Sequence, residues 1–164
     1  YVKTTMTGAN LNTFTVDKTA PGTSWGSVYA QFTQRTTDIA DASMGLSVKR
    51  ELLYDGELKV GSKVKVRITI TADRDYDFVQ VVDKRAACME PINQLTGYRD
   101  GYYHSPRDNA TYYYTDMMRK GTHVIENTYY IDRPGTFTTG TCTVQCAYSP
   151  AYMARTKALT ITVK

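Results

Sequence analysis

The chain has 164 residues, room for one ordinary domain or for one domain and a fragment of another. Hydrophobic residues make up 41% of it, which excludes global disorder, and the formal net charge is a mild +4. Lys and Arg are scattered and mostly alternate with apolar residues, whereas a nucleic-acid-binding protein gathers them on one face.

Tyrosine is the outlier of the composition, with 14 residues against four Phe and one Trp. Tyr and Thr both suit a pleated, half-buried surface, so this usage favours strands. The chain begins at Tyr1 without an initiator Met, a basic-apolar leader or an apolar run of membrane-spanning length. It is therefore expected to be a piece excised from a longer precursor.

Residues 1–37 read as short strands broken by turns at Asn10-Leu11-Asn12 and Pro21-Gly22-Thr23-Ser24. Phe14 and Val16 alternate before the second turn, and the segment 25–32 is predicted as a strand with Gly26 at a bulge. The polar, small-residue stretch 36–45 is the expected linker or loop, with the boundary placed at 38–44. From there a strand begins at Leu46 and Val48 and ends at the Asp55-Gly56 turn. Val64, Val66, Ile68 and Ile70 then alternate with Lys63, Lys65, Arg67, Thr69 and Thr71, a period of two that turns one apolar face inward. The acidic turn ADRDYD leads to a second run over 78–82 and a loop holding Cys88. Residues 96–116 show no clean period and read as long loops with one short strand at 111–114. Further strands are predicted at 123–131, 137–148 and 159–163, with a turn at Asp132-Arg133-Pro134-Gly135. Strands at this spacing with turns between them indicate an all-β antiparallel sandwich or barrel.

The chemistry-bearing residues are sparse. Cys142 and Cys146 share a strand face at about 13 Å separation, too far to pair with each other. One of them could pair with Cys88, and then Cys146 is the preferred partner because it is nearer the strand end; the equal alternative is three buried thiols that act as small hydrophobes. No CxxC pair or His spacing suggests a metal, no GxSxG suggests a hydrolase, and Asp73, Asp75 and Asp77 lack the Gly and Glu of a calcium loop. Asn109-Ala110-Thr111 matches the glycosylation sequon, a short pattern. Tyr98, Tyr102, Tyr103, Tyr112, Tyr113 and Tyr114 form the candidate interface, because flat aromatic rings anchor contacts at little entropic cost. The same residue type also fills sheet faces with a wet hydroxyl.

DFVQVVDKRAACMEPINQLTGYR, residues 77–99, resembles a segment of the bacterial alpha-2-macroglobulin family, in the domain that closes those long chains. KGTHVIENTYYIDRPGTF (120–137), TVQCAYSPAY (143–152) and LTITVK (159–164) agree in order. The resemblance covers 45–164 well and implies a macroglobulin- or immunoglobulin-like β-sandwich domain there, while 1–37 fits the returning strands of the preceding domain or an N-terminal extension. Many relatives carry Tyr-x-Pro-Glu where this chain has Tyr148-Ser149-Pro150-Ala151, so a salt bridge from that Glu is absent. The family's thioester motif is Cys-x-Glu-Gln, and here Pro91 stands three residues after Cys88 with Gln94 three places late. The resemblance thus implies a non-catalytic, cofactor-free domain of a protease trap, with any thioester and bait region elsewhere in the parent. It implies other domains of that chain as partners and prey proteases through the whole protein. It also implies a periplasmic or cell-surface location, with a membrane reached only through a lipid anchor outside this piece. The rival reading is a stand-alone adhesion sandwich that binds carbohydrate or a surface.

Overall fold

The computed structural model describes residues 3–6 and 15–164. The chain divides into two units, Tyr1–Phe32 and Thr33–Lys164. Among the described residues of the first unit no strand forms, so the one expected at 25–32 is absent, and Trp25, Val28, Tyr29 and Phe32 are exposed. A strand needs a ladder partner, and this segment has none among the described residues of its unit. Phe14 and the break at 10–12 lie outside the described residues.

The second unit opens with a 3-10 turn at Thr36–Asp38, followed by β1 (Ala42–Met44) and β2 (Leu46–Leu53). Part of the expected linker at 38–44 is thus a strand, held by pairing rather than by side-chain propensity. Gly45 joins the two strands at φ +72, and a Cβ there would lie 2.2 Å from the Tyr76 hydroxyl. Only glycine fits that corner.

In β3 (Lys63–Ala72) the expected alternation holds, with Val64, Val66, Ile68 and Ile70 all buried. β4 (Tyr76–Lys84) changes phase at Phe78, whose φ of +51 lets both Tyr76 and Val79 face inward and leaves its own ring half exposed. After β5 (Met89–Pro91), the short strand expected at 111–114 is present within a longer β8 (Ala110–Met118), and the stretch before it, read as loop, holds two more strands, β6 (Gly97–Arg99) and β7 (Tyr102–Pro106). Tyrosine on both faces of these strands erased the apolar-polar period. β9 (Gly121–Ile131) carries Ile125, Tyr129 and Ile131 inward as expected. The segment 137–148 is split into β10 (Gly135–Thr138) and β11 (Cys142–Cys146), with Gly140 at φ +70 between them. Tyr148 lies past the end of β11 and is exposed. β12 (Met153–Arg155) and β13 (Thr160–Val163) complete the chain.

Eleven strands form one sheet in the order β5-β9-β3-β2-β1-β12-β11-β4-β8-β7-β6, and β10 pairs with β13. The pairings are antiparallel. The three-residue β1 is the seam: it pairs with β12 on one side and β2 on the other, while β2 packs back on β11 and β12. The sheet therefore doubles over into two layers, the all-β sandwich that the sequence predicts. Their inner faces share one core containing Val64, Ile68, Val81, Tyr113, Tyr129 and Val144.

Between the layers lies one buried ion pair. Arg50 Nη1 of β2 donates to the Asp83 carboxylate of β4 at 2.9 Å and to the Lys84 carbonyl at 2.9 Å. Its Nη2 donates to Thr139 Oγ1 at 2.5 Å and to the Gly140 carbonyl at 2.6 Å. Arg50 thus ties three segments together where an apolar side chain could not. Burial pushes the Asp83 carboxyl up, and the Arg50 charge opposes that shift.

Candidate functional site: a tyrosine ladder on the sheet edge

Tyr98 of β6 stands directly across from Tyr103 of β7, and Tyr103 stands directly across from Tyr114 of β8. The ring centroids are 5.6 Å and 6.5 Å apart along this row. All three rings are exposed, Tyr98 by 67% of its surface. Tyr112, half-buried, stacks parallel to Tyr114 at 6.4 Å. Gln80 of β4 donates to the Tyr114 hydroxyl at 3.3 Å. The result is an aromatic ladder climbing to the sheet edge, with hydroxyls toward solvent.

Two of the six candidate tyrosines do not belong to it. Tyr102 and Tyr113 point to the opposite face and are buried, because successive residues of a strand alternate sides. Tyr113 accepts a hydrogen bond from Asn127 at 3.4 Å, and Asn127 also donates to Tyr129 at 3.1 Å. Burial pushes the Tyr129 hydroxyl up to about 12 and holds Tyr113 well above its ordinary value. Both are core phenols.

His104 of β7 lies beneath the ladder, 4% exposed and edge-on to Tyr113 at 4.8 Å. Its Nε2 is 3.2 Å from the Arg99 carbonyl, while its Nδ1 is buried without a hydrogen-bond partner. Burial, and then the nearby Arg99 charge, push its pKa down. The folded state therefore binds fewer protons than the unfolded state just below the ordinary histidine range. The stability that His104 contributes is present above about pH 6.5 and is lost as pH falls toward the depressed folded value. Urea midpoints measured between about pH 7.5 and 5.5 should decline, and His104→Gln should flatten that slope.

The disulfide expected between Cys88 and Cys146 is not formed: all three cysteines are free and buried. The strand direction explains this. Antiparallel pairing sets Cys146 opposite Val79 and Cys142 opposite Asp83, so Cys146 lies at the end of β4 remote from the loop that carries Cys88. Burial raises the pKa of each thiol, which keeps them protonated and unreactive.

The remaining polar candidates have structural partners. Asp75 accepts from the Lys120 amide at 2.7 Å and from Arg119 at 2.8 Å, tying the β3–β4 turn to the β8–β9 turn and lowering its pKa. Asp73 is held below the usual carboxylate range by Arg74 and Tyr76. His123 Nε2 contacts the Arg119 carbonyl at 2.7 Å. In the sequon, Asn109, the residue a glycan would be attached to, is exposed, and Thr111 is buried. Among the described residues no cluster of His, Cys, Asp or Glu could hold a metal, and no helix is long and apolar enough to cross a membrane.

The family model of the bacterial alpha-2-macroglobulin MG10 domain matches residues 30–151. The chain belongs to the bacterial alpha-2-macroglobulin family. Solved structures share the fold of this MG10 domain. Salmonella alpha-2-macroglobulin reacted with methylamine superposes with a TM-score of 0.67 at 22% identity, over 77% of this chain and 10% of that one. Trypsin-activated alpha-2-macroglobulin from Escherichia coli gives 0.68 at 17% identity, over 77% and 11%. The native E. coli protein from domain MG7 to the C-terminus gives 0.68 at 17% identity, over 78% and 25%. The MG10 domain thus spans a tenth to a quarter of the chains it superposes on. No curated protein matches it.

The ladder was missed as a unit because its members sit on three strands, two of them in a region with no readable period. The signal available was the tyrosine density itself.

Proposed function

We propose that this chain is the non-catalytic, C-terminal docking domain of an alpha-2-macroglobulin-like protease trap. It packs against the domain that carries the thioester region and holds the trap in its resting arrangement until a prey protease cuts the bait. The observation that carries this reading is the exposed ladder Tyr98–Tyr103–Tyr114, backed by half-buried Tyr112, on a domain of this family. The residues before the matched domain belong to the preceding domain of the parent chain or to an N-terminal extension, which suits a first unit that exposes Trp25 and Phe32. The parent is extracytoplasmic, in the periplasm or at the cell surface, and lipid-anchored.

Replacing Tyr98, Tyr103 and Tyr114 together by Ala in the full-length parent should loosen the resting state, read as closure at lower protease doses. Closure indistinguishable from that of the unsubstituted protein would count against the docking role. The rival reading, a sugar-binding adhesion module that uses the same tyrosines, is separated by a glycan array on this chain, where the docking reading expects no hits.

A further inference from the structure

The ladder is one end of a longer row. Tyr114 stands across from Gln80, Gln80 from Gln145, Gln145 from Met153, and Met153 from Met44. Together with Tyr98 and Tyr103, these seven side chains come from seven adjacent strands. At a strand spacing of ~4.8 Å the row is about 29 Å long. Every member is exposed or half-buried, and none is charged. The neighbouring row runs Ser105, Tyr112, Val82, Thr143, Arg155 and Ala42. Its one charge, Arg155, is turned to the Ala40 carbonyl at 3.2 Å. Charge returns at the margins, with Lys84 and Asp116.

The outer face of the other layer is built in the opposite way. There Glu51, Arg67 and Glu126 form a cross-strand row of alternating charge. Lys65 and Arg67 both pair with Glu126, at 3.1 Å and 2.7 Å, and Lys49 pairs with Glu51 at 2.7 Å. That is a solvated sheet face. A face depleted of charge, rich in Tyr and Met and rimmed by charges, has the composition of an interface core.

We infer that the uncharged strip these two rows make on the outer face, from Tyr98 of β6 across β7, β8, β4, β11 and β12 to Met44 of the seam strand and ending at the Asp116 and Lys84 margins, is covered by a neighbouring domain of the same polypeptide through an uncharged surface. This rests on the docking reading above and extends it from three edge strands to seven. A charged partner surface is excluded by the cost of burying ions against a face with none to pair them. A membrane surface is excluded because lipid headgroups are held by clustered Lys and Arg. A domain of the same chain is favoured because the matched Salmonella chain is about ten times as long as the part this domain superposes on. Tethering gives such a neighbour a millimolar effective concentration, enough for a flat face of modest affinity.

Methionine oxidation tests this in the full-length resting protein. Met44 is 60% exposed in the isolated fold and Met117, outside the row, is 46% exposed. With dilute hydrogen peroxide and mass-spectrometric readout, Met44 should oxidise on the order of tenfold more slowly than Met117, since oxidation follows access. Equal rates would overturn the proposal. Gln145→Glu sets a charge in mid-row without touching the core, and should restore Met44 oxidation to the Met117 rate. Persistent protection in that variant would also overturn it. Protection that disappears on dilution would assign the cover to a second copy instead of a neighbouring domain. Tyrosine variants that loosen the trap while Met44 stays freely oxidised would leave the docking reading standing and remove only this extension.

Discussion

Arg50→Met should destabilise the second unit by about 3–5 kcal/mol, the usual cost of removing one partner of a buried ion pair. The Arg50 and Asp83 side chains are 2% and 1% exposed, so water cannot replace the lost partner. The substitution also strips hydrogen bonds from the Lys84 carbonyl, Thr139 Oγ1 and the Gly140 carbonyl. Asp83 is then a carboxyl in an apolar interior with its opposing cation gone. Its pKa, already raised by burial, should rise further, so the deficit should shrink in acid as Asp83 takes up a proton. Urea unfolding at neutral and acid pH measures both effects. The double variant Arg50→Met with Asp83→Leu should recover the part of the loss due to the uncompensated carboxylate, while the Lys84 and Gly140 carbonyls still lack their donor. A single variant as stable as the unsubstituted chain would show that water reaches the pair.

Adjacent tyrosines should behave in opposite ways. Tyr113→Ala should cost about 3–5 kcal/mol, the range for truncating a large buried aromatic. Its ring is fully buried, supports His104 from below, and offers its hydroxyl to Asn127. Tyr114→Ala should cost about 1 kcal/mol or less, since it removes an exposed cross-strand partner of Tyr103 and opens no cavity. Thermal unfolding of the two variants side by side separates core from surface. Comparable losses would mean that the ladder is part of the domain's own packing, and its role as a docking surface would fall with that result.

That contrast also marks what could be read from the amino acids. Val64 to Ile70 and Val79 to Val81 announce their strands because one face is apolar and the other is not. Tyr112 to Tyr114 announce a strand but hide its extent and its neighbours β6 and β7, because one residue type serves the core, the ladder and the hydroxyl network at once. The break at Gly140 was invisible for a different reason: its cause is Arg50, 90 positions away, taking the carbonyl. The Cys88–Cys146 pairing failed on strand direction, which spacing along the chain does not encode. The uncharged row is the extreme case. Met44, Gln80, Gln145 and Met153 are unremarkable in sequence and become a surface only through register across the sheet.

The seam strand has a mechanical consequence. β1 is bonded to β12 through three residue pairs, from Ala42 with Arg155 to Met44 with Met153. Tension entering from the preceding residues meets the ties of Ala40 and Asp41 to Arg155 and the Lys157 amide, and then the three ladder pairs. The ten-pair ladder between β3 and β9 shares none of that load at the outset. One of the shortest joints of the sandwich is therefore the first of its ladders to feel a pull from upstream, while the common core and the Arg50–Asp83 pair still clamp the two layers.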